Sequence, residues 1–299
     1  MLGRFLSGRR SAWLKREESV MGTSIGVELW ADEPAAGEAA ITAVMDEMRR
    51  IDRTMSPHKE DSELSRINRD AFTAPVPVSA EMARLIVRAA EFSELSGGAF
   101  DITYAAVGWR HLILDTHAGT VRFARPGMRI DLGGFAKGHA VDNATAILRR
   151  RGIAHAMVSA GGDSRVIGDR RGRPWTIGVR DPRRPGEVAA MLPLEDVSIS
   201  TSGDYERYFD ADGTRFHHLI DPATGKSPRG IQSVTVLADD GLTSEALSKI
   251  VFVLGVERGM ALVESQSGVD AVVVDAAGAL HFSSGLLAAP SSTSASPTQ

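Results

Sequence analysis

The stretch from residue 156 to residue 237 constrains the fold most, because it is a succession of short segments with alternating apolar and polar residues. Alternation with a period of two predicts half-buried β-strands, and short strands in close succession favour antiparallel pairing. The segments lie at 156–159, 165–168, 175–179, 188–194, 197–200, 215–220 and 233–237. We therefore expect a substantial antiparallel sheet.

Amphipathic helices are predicted on both sides of that stretch. Apolar residues at three- and four-residue spacing indicate helices at 33–55, at about 79–95, from Gly138 to Gly152, at 243–255 and, less regularly, at 256–266. Further strands are predicted from Val20 to Leu29 and at 130–132, 271–275 and 280–282. Because helices and strands do not alternate as in a doubly wound fold, we predict an α+β class with mixed, largely antiparallel sheets flanked by helices.

Three parts are expected along the 299 residues: a basic, flexible arm at 1–18, one domain at 19–287, and a disordered tail at 288–299 that is rich in Ser, Thr, Pro and Ala. Apolar runs are too short to span a membrane. Since no apolar leader follows the basic residues near the N-terminus, we expect a cytoplasmic protein.

Composition excludes several kinds of chemistry. Without cysteine the chain has no disulfide, no thiolate nucleophile and no zinc–thiolate or cysteine-ligated iron–sulfur site. The 34 basic and 38 acidic residues give a net charge of −4, which argues against nucleic acid as a partner.

The strongest local motif runs from Ile130 to Asp142, with Asp131 before the pair Gly133-Gly134 and Lys137 at the start of a predicted helix. Free N–H groups, the positive end of the helix dipole and an ammonium together suit a phosphate. An ordinary glycine-rich turn with a solvated lysine explains the motif equally well.

Two other glycine-bearing turns follow predicted strands, at 161–163 and 201–205, and they are open to the same two interpretations. His218 lies near the end of a predicted strand, close to Asp221; it suits a general base, although a lone histidine in a strand is more often structural. Glu245 and Lys249 occupy one helix face and suit either a surface ion pair, worth about 0.2–0.5 kcal/mol, or a carboxylate that holds a divalent cation.

Taken together and in order, these motifs resemble the ApbE family of FAD:protein FMN transferases. The resemblance covers about residues 20–286. The motifs that carry it are, in chain order, Met21-Gly22-Thr23, Asp52, Met55-Ser56, the segment 62–68, Gly97-Gly98-Ala99-Phe100-Asp101-Ile102-Thr103, the segment 131–142, Gly161-Gly162-Asp163, the segment 201–206 and His218-Leu219-Ile220-Asp221-Pro222 with Thr224-Gly225. It implies a fold related to the T-fold and the transfer of FMN from FAD to a Thr or Ser hydroxyl of a target protein, with release of AMP.

The resemblance also implies the site residues. Those for FAD are Met21, His58, Ala99, Phe100, Asp101, Asp131, Lys137, Gly162, Ser202 and Ile220. His218 would activate the incoming hydroxyl, and Asp221 would orient the histidine or its loop. Mg²⁺ would be held by the Gly134 carbonyl, Glu245 and Ser248.

Three departures from the family pattern stand out. His58 replaces a larger aromatic residue, and an imidazole covers less of a ring system. Many relatives are exported lipoproteins, whereas no lipid-accepting cysteine is present here. On the late helix the family usually reads Asp-Ala-Leu-Ala-Thr, with Asp and Thr as Mg²⁺ ligands, whereas this chain has Glu245-Ala246-Leu247-Ser248-Lys249, and lysine has no acceptor for a metal.

Lys249 therefore leaves two versions of the site open. In one, Glu245 and Gly134 hold Mg²⁺ while Lys249 reaches the phosphates. In the other, Lys249 replaces the metal or pairs with Glu245, and transfer is weak or absent. The corresponding alternatives to a transferase are an FAD-binding protein without chemistry and a Mg²⁺-dependent enzyme that hydrolyses FAD to FMN and AMP.

Overall fold

A computed structural model describes residues 11–103, 108–206, 208–211 and 214–288. Its main sheet has eight antiparallel strands, numbered in chain order. They lie side by side in the order β1 (Ala12–Val20), β2 (Thr23–Ala31), β6 (Ala156–Ala160), β7 (Asp163–Ile167), β10 (Ser198–Gly203), β13 (Ile231–Ala238), β14 (Asp270–Asp275) and β15 (Leu280–Phe282). The expected antiparallel α+β architecture is confirmed.

Three smaller sheets complete the β-structure. One has the order β3 (Val76–Pro77), β5 (Thr120–Phe123), β4 (Leu112–Asp115). The other two are hairpins: β8 (Trp175–Arg180) with β9 (Val188–Leu194), and β11 (Tyr208–Ala211) with β12 (Thr214–His217).

The helices are α1 (Pro34–Met55), α2 (Glu63–Asp70), α3 (Ala80–Leu95), α4 (Ala136–Arg150), α5 (Gly241–Leu254), α6 (Val256–Glu264) and α7 (Ser284–Leu287). Side chains cap three of their N-termini: Ser62 on α2, Ser79 on α3 and Asp240 on α5 each accept a backbone N–H. Among the described residues, no helix is both long and apolar enough to cross a bilayer.

Apolar side chains cover both faces of the main sheet. On one face, Ile25, Val27 and Leu29 of β2 are buried in the same core as the apolar sides of α1, α4 and α5. On the other face a second core forms around Trp175 and Leu192 of the β8–β9 hairpin. Because β13 lies between the two cores, all eight of its residues are buried.

Three sequence expectations are corrected. The prediction of a flexible arm is wrong for residues 12–18, since they pair with β2 and Trp13 packs edge-on against Trp30 and Trp175. No strand forms at 130–132; the Asn68 side chain instead bonds both backbone groups of Ile130 there. Residues 201–203 belong to β10 rather than to a turn after it. Residues 1–10 and 289–299 of the predicted arm and tail lie outside the described residues.

Candidate functional site

A cavity of about 520 Å³ lies where the β1–β2 turn, the start of α4, the β6–β7 turn, β10 and the loop after β12 meet. Twelve of the predicted residues line it: Met21, His58, Ala99, Phe100, Asp101, Asp131, Gly134, Lys137, Gly162, Ser202, His218 and Ile220. Lys249 lines it too, whereas Asp221, Glu245 and Ser248 are outside its lining. Segments about 200 residues apart in sequence therefore share one cavity.

Two glycines allow α4 and α5 to cross in contact behind this cavity. A Cβ added at Gly241 would lie 2.6 Å from the carbonyl oxygen of Gly138, and one added at Gly138 would collide with the carbonyl of Gly241. The Asp142 carboxylate secures the crossing by accepting the N–H groups of Gly241 and Leu242 at 2.7 and 3.0 Å. Since Glu245 lies one turn further along α5, the crossing places it beside the start of α4.

Glu245 is fully buried at this point and accepts hydrogen bonds from α4. Its Oε2 accepts the N–H of Gly138 at 2.6 Å, and its Oε1 accepts the ammonium of Lys137. Burial alone would raise the pKa of Glu245, but the positive charges of Lys137 and Lys249 hold that pKa below its usual value. The carboxylate is therefore ionised at neutral pH.

Lys137 joins two carboxylates. Besides Glu245, its Nζ contacts Oδ2 of Asp163 at 2.5 Å, and the Asp163 side chain is almost completely buried. Burial would lower the pKa of Lys137, but the two negative charges raise it well above the ordinary value. The lysine is therefore a permanent cation rather than the solvated side chain of an ordinary turn.

Lys249 is the second cation, and it belongs to the interior rather than to a surface pair. Its Nζ lies 3.2 Å from Oε1 and 3.3 Å from the backbone carbonyl of Glu245. Its stem passes close to Gly134, where an added Cβ would lie 3.1 Å from Cδ and 3.2 Å from Cε. Burial lowers the pKa of Lys249, partly offset by Glu245.

Three serine hydroxyls lie beside these charges. Ser248 lies 2.8 Å from Ser202 and 3.2 Å from Ser200 and donates to the carbonyl of Glu245 at 2.9 Å. Ser200 donates to Oδ1 of Asp163 at 2.5 Å. In the part of the chain that the structure describes, no group of three or more His, Asp or Glu side chains is placed to hold a metal ion.

Other carboxylates shape the loops around the cavity. Asp101 accepts the N–H groups of Thr103 and Trp109, and Asp131 accepts the N–H of Gly133 at 2.7 Å. Asp221 accepts the N–H of Ala223 at 2.9 Å and the hydroxyl of Thr224 at 3.0 Å, which closes its own turn. The bonds that Asp101, Asp131 and Asp221 accept from the N–H group two residues further along are typical Asx turns.

The mouth of the cavity, which we define as the β11–β12 hairpin with the loop 218–226, carries His218, and the β1–β2 turn carries Met21. His218 is exposed and directly follows β12, so it lies outside the strand that the sequence predicted for it. Met21 has φ 56°, in the left-handed region, within the tight turn that it forms with Gly22. For a residue other than glycine this conformation stores strain, which structures retain most often at functional sites.

Sequence reasoning passed over Asp163 as a site residue. Its signal was the turn Gly161-Gly162-Asp163, where a Cβ at Gly162 would lie 2.6 Å from the carbonyl oxygen of Thr201. The same close approach of β7 to β10 positions Asp163 between Lys137 and Ser200.

Comparison with known proteins gives a consistent result. The sequence model of the ApbE family matches residues 21–107 and 104–273. An FAD:protein FMN transferase of Treponema pallidum is 32% identical over 87% of this chain and 83% of its own length. One from Rhodobacter capsulatus is 44% identical over 52% of this chain and 29% of its own length.

Solved structures agree with the sequence comparison. The ApbE protein of Thermotoga maritima superposes with a TM-score of 0.85 at 32% identity, covering 92% of this chain and 98% of its own. The flavin transferase ApbE of Vibrio cholerae gives a TM-score of 0.83 at 27% identity, covering 93% and 99%.

Proposed function

Because the chain belongs to the ApbE family, we propose that it is a transferase that moves FMN from FAD to a Thr or Ser hydroxyl of a protein acceptor. The acceptor oxygen attacks the phosphorus of the FMN half, and the bond from that phosphorus to the bridging oxygen breaks. AMP leaves with the bridging oxygen, and the acceptor carries FMN through a phosphoester. The hydroxyl proton passes to a base.

The observation that carries this proposal is the meeting of the predicted residues in one cavity. Two cations lie on its inner wall, which is formed by Lys137, Asp163 and Lys249 with Glu245 behind them. A volume of about 520 Å³ is in the range of small-molecule sites. Phosphoryl transfer depends mainly on positioning and on neutralising phosphate charge, and the start of α4 with Lys137 and Lys249 suits that task.

We keep the roles that the family resemblance implies. The flavin nucleotide would contact Met21, His58, Ile220 and the segment Ala99-Phe100-Asp101, while the pyrophosphate would face Lys137 and the backbone of Gly134 and Gly162. Asp131 and Ser202 would complete its polar contacts. His218, exposed at the mouth, would take the hydroxyl proton, and Asp221 would hold the loop that carries it.

Mg²⁺ is the second cofactor that the family resemblance implies, through Gly134, Glu245 and Ser248. It requires near-octahedral oxygen ligands at about 2.0–2.1 Å. Both Glu245 oxygens already accept N–H donors, Oε1 from two ammonium groups, and the Ser248 hydroxyl is bonded to a backbone carbonyl. These residues do not fit Mg²⁺, so we assign it no step.

The cytoplasmic location of the protein stays a prediction.

The proposal is tested with the purified protein, FAD and a panel of peptides that each carry one Thr or Ser. We expect mass spectrometry to detect a peptide that has gained FMN with loss of water, and an equal amount of released AMP. AMP and free FMN without any adduct would instead indicate a hydrolase. Binding of FAD without AMP release would indicate a flavin-binding protein.

His218→Ala tests the proposed base. Removing a general base lowers the rate about 10²–10⁴-fold, and we expect FAD affinity and melting temperature to stay unchanged because the side chain is exposed. His117→Ala, which removes an exposed histidine outside the cavity lining, is the control. Loss of FAD binding together with transfer would instead make His218 a binding residue.

A further inference from the structure

We infer that the Lys249 ammonium takes the place of a divalent cation at this site, so that FAD binds, and its pyrophosphate accepts a hydrogen bond from this ammonium, without a metal ion. The inference rests on the proposed function in taking FAD as the ligand. Lys249 thereby becomes a residue that determines the metal requirement of the enzyme.

The position of Lys249 supports this inference first. It is one of the residues that line the cavity, and its stem lies against Gly134 at the start of α4. Gly134 and Glu245 are the positions where the family resemblance puts Mg²⁺. The ammonium, at 3.2 Å from Oε1 of Glu245, therefore lies among the residues to which the resemblance assigns the ion.

The number of hydrogen-bond donors on the two lysines also supports the inference. An ammonium has three N–H donors. The described residues give Lys249 two acceptors, both on Glu245, and they give Lys137 two, on Asp163 and Glu245. One donor of each lysine remains for an oxygen of a ligand in the cavity that both lysines line.

The charges on the inner wall of the cavity are the third support for the inference. Lys137 and Lys249 balance the buried Asp163 and Glu245, so the inner wall of the cavity is neutral. Without Lys249 that wall carries one net negative charge and repels a pyrophosphate dianion, unless a metal ion restores positive charge. The lysine therefore removes the net negative charge that a metal ion would otherwise have to offset.

Calorimetry of FAD binding in EDTA and in Mg²⁺ tests the inference on four proteins: the wild type, Lys249→Thr, Lys249→Met and the control Lys226→Met. Lys226 belongs to the loop 218–226 at the mouth, but it does not line the cavity. We expect the wild type and the control to bind FAD equally in both buffers, within about twofold. In EDTA both Lys249 variants should bind at least tenfold more weakly. Mg²⁺ should restore only the threonine variant, because methionine offers no oxygen ligand.

A second measurement does not depend on the variants folding. Mn²⁺ titrated into the wild-type protein with FAD should keep the electron paramagnetic resonance signal of the free ion at stoichiometric concentrations. Loss of that signal, or FAD affinity in the wild type that falls tenfold in EDTA, would overturn the inference. So would equal metal responses of the wild type and Lys249→Thr.

Failure here and failure of the proposed function give different results. FAD binding that is indifferent to metal, without AMP release, would leave Lys249 in its role and refute the transferase. Flavinylated peptide that forms only with Mg²⁺ would support the transferase and refute the role of Lys249.

Discussion

The inner wall and the mouth of the cavity are built in opposite ways. The inner wall consists of Lys137, Asp163 and Lys249, which line the cavity, and of Glu245 behind them; the mouth consists of the β11–β12 hairpin and the loop 218–226. Every charge of the inner wall has a protein partner, and Glu245 is fully buried. At the mouth, Phe209 is 65% and Phe216 39% exposed, and their stacked rings lie 5.2 Å apart.

This difference separates stability from chemistry. The inner wall depends on helix packing and on buried ion pairs, in which the loss of one partner leaves an uncompensated charge. The mouth depends on short-range turn bonds such as those of Asp221. We therefore expect changes in the inner wall to lower stability and FAD binding together, and changes at the mouth to leave stability nearly unchanged.

Lys137→Met is expected to have the largest effect. It leaves Asp163 and Glu245 buried with Lys249 as their nearest cation, and breaking such a buried pair costs about 3–5 kcal/mol of unfolding free energy. Urea unfolding measures the loss. Lys15→Met removes a lysine on the exposed surface of β1 and should leave the curve unchanged. Equal curves for both variants would show that the inner wall does not contribute to stability.

Gly138→Ala tests the helix crossing. Replacing glycine by alanine inside a helix normally stabilises it by about 1 kcal/mol. Here the methyl group would collide with the backbone of Gly241, and overpacking of this kind costs about 1–3 kcal/mol. We expect a lower melting temperature and weaker FAD binding, since Glu245 would move away from Lys137.

The companion variant Ala146→Gly, at an exposed position of α4, measures the helix propensity alone. It should destabilise by about 1 kcal/mol. If Gly138→Ala stabilises by a similar amount, the two helices can separate without cost and the crossing does not fix the site.

Periodicity predicted most of the fold but little of the charge pairing. The alternation of Ile25, Val27 and Leu29 placed β2 correctly, whereas β1 was missed because Lys15, Arg16, Glu17 and Glu18 read as a solvated arm. A local hydrophobic pattern predicts a strand only where its residues alternate between apolar and polar. An edge strand that carries several charged residues lacks this alternation, so its sequence resembles that of a loop.

The site shows the same division. The family resemblance, which rests on short motifs that include three glycine-bearing turns, predicted twelve lining residues. The sequence left Glu245 and Lys249 open between a surface pair and a cation site, since their burial depends on α4 crossing α5 a hundred residues away. A local sequence pattern cannot show that crossing, because the residues that meet in it are far apart in the chain. The helix α2 was missed for a simpler reason, because it is short and polar.

Glu81→Gln tests what supports the start of α4 from outside. Glu81 of α3 accepts two hydrogen bonds from Arg50 of α1 and lies 2.8 Å from His139 of α4. The bonds from Arg50 outweigh burial and hold the pKa of Glu81 down at about 2. Losing charge-assisted bonds should lower unfolding free energy by about 1–2 kcal/mol at pH 7.

The pH dependence of that loss follows from the sign of the shift. A carboxyl whose pKa is lower in the folded state stabilises it above the ordinary pKa near 4.5, and this contribution disappears as pH falls toward 2. Unfolding curves of wild type and Glu81→Gln should therefore converge in acid. Glu91→Gln, on the exposed face of α3, is the control and should follow the wild type at every pH.

Phe209→Ser should have the smallest effect and gives the sharpest contrast with the inner wall. It removes one partner of an exposed cross-strand pair, and such pairs contribute about 0.2–1 kcal/mol. FAD affinity should be unchanged, because Phe209 is not among the residues that line the cavity. Ile113→Ser, which removes another exposed apolar side chain, from β4, shows the effect of losing surface apolar area alone. A loss of stability as large as that of Lys137→Met would show that the mouth is part of the folded framework, and the contrast between the two regions would fail.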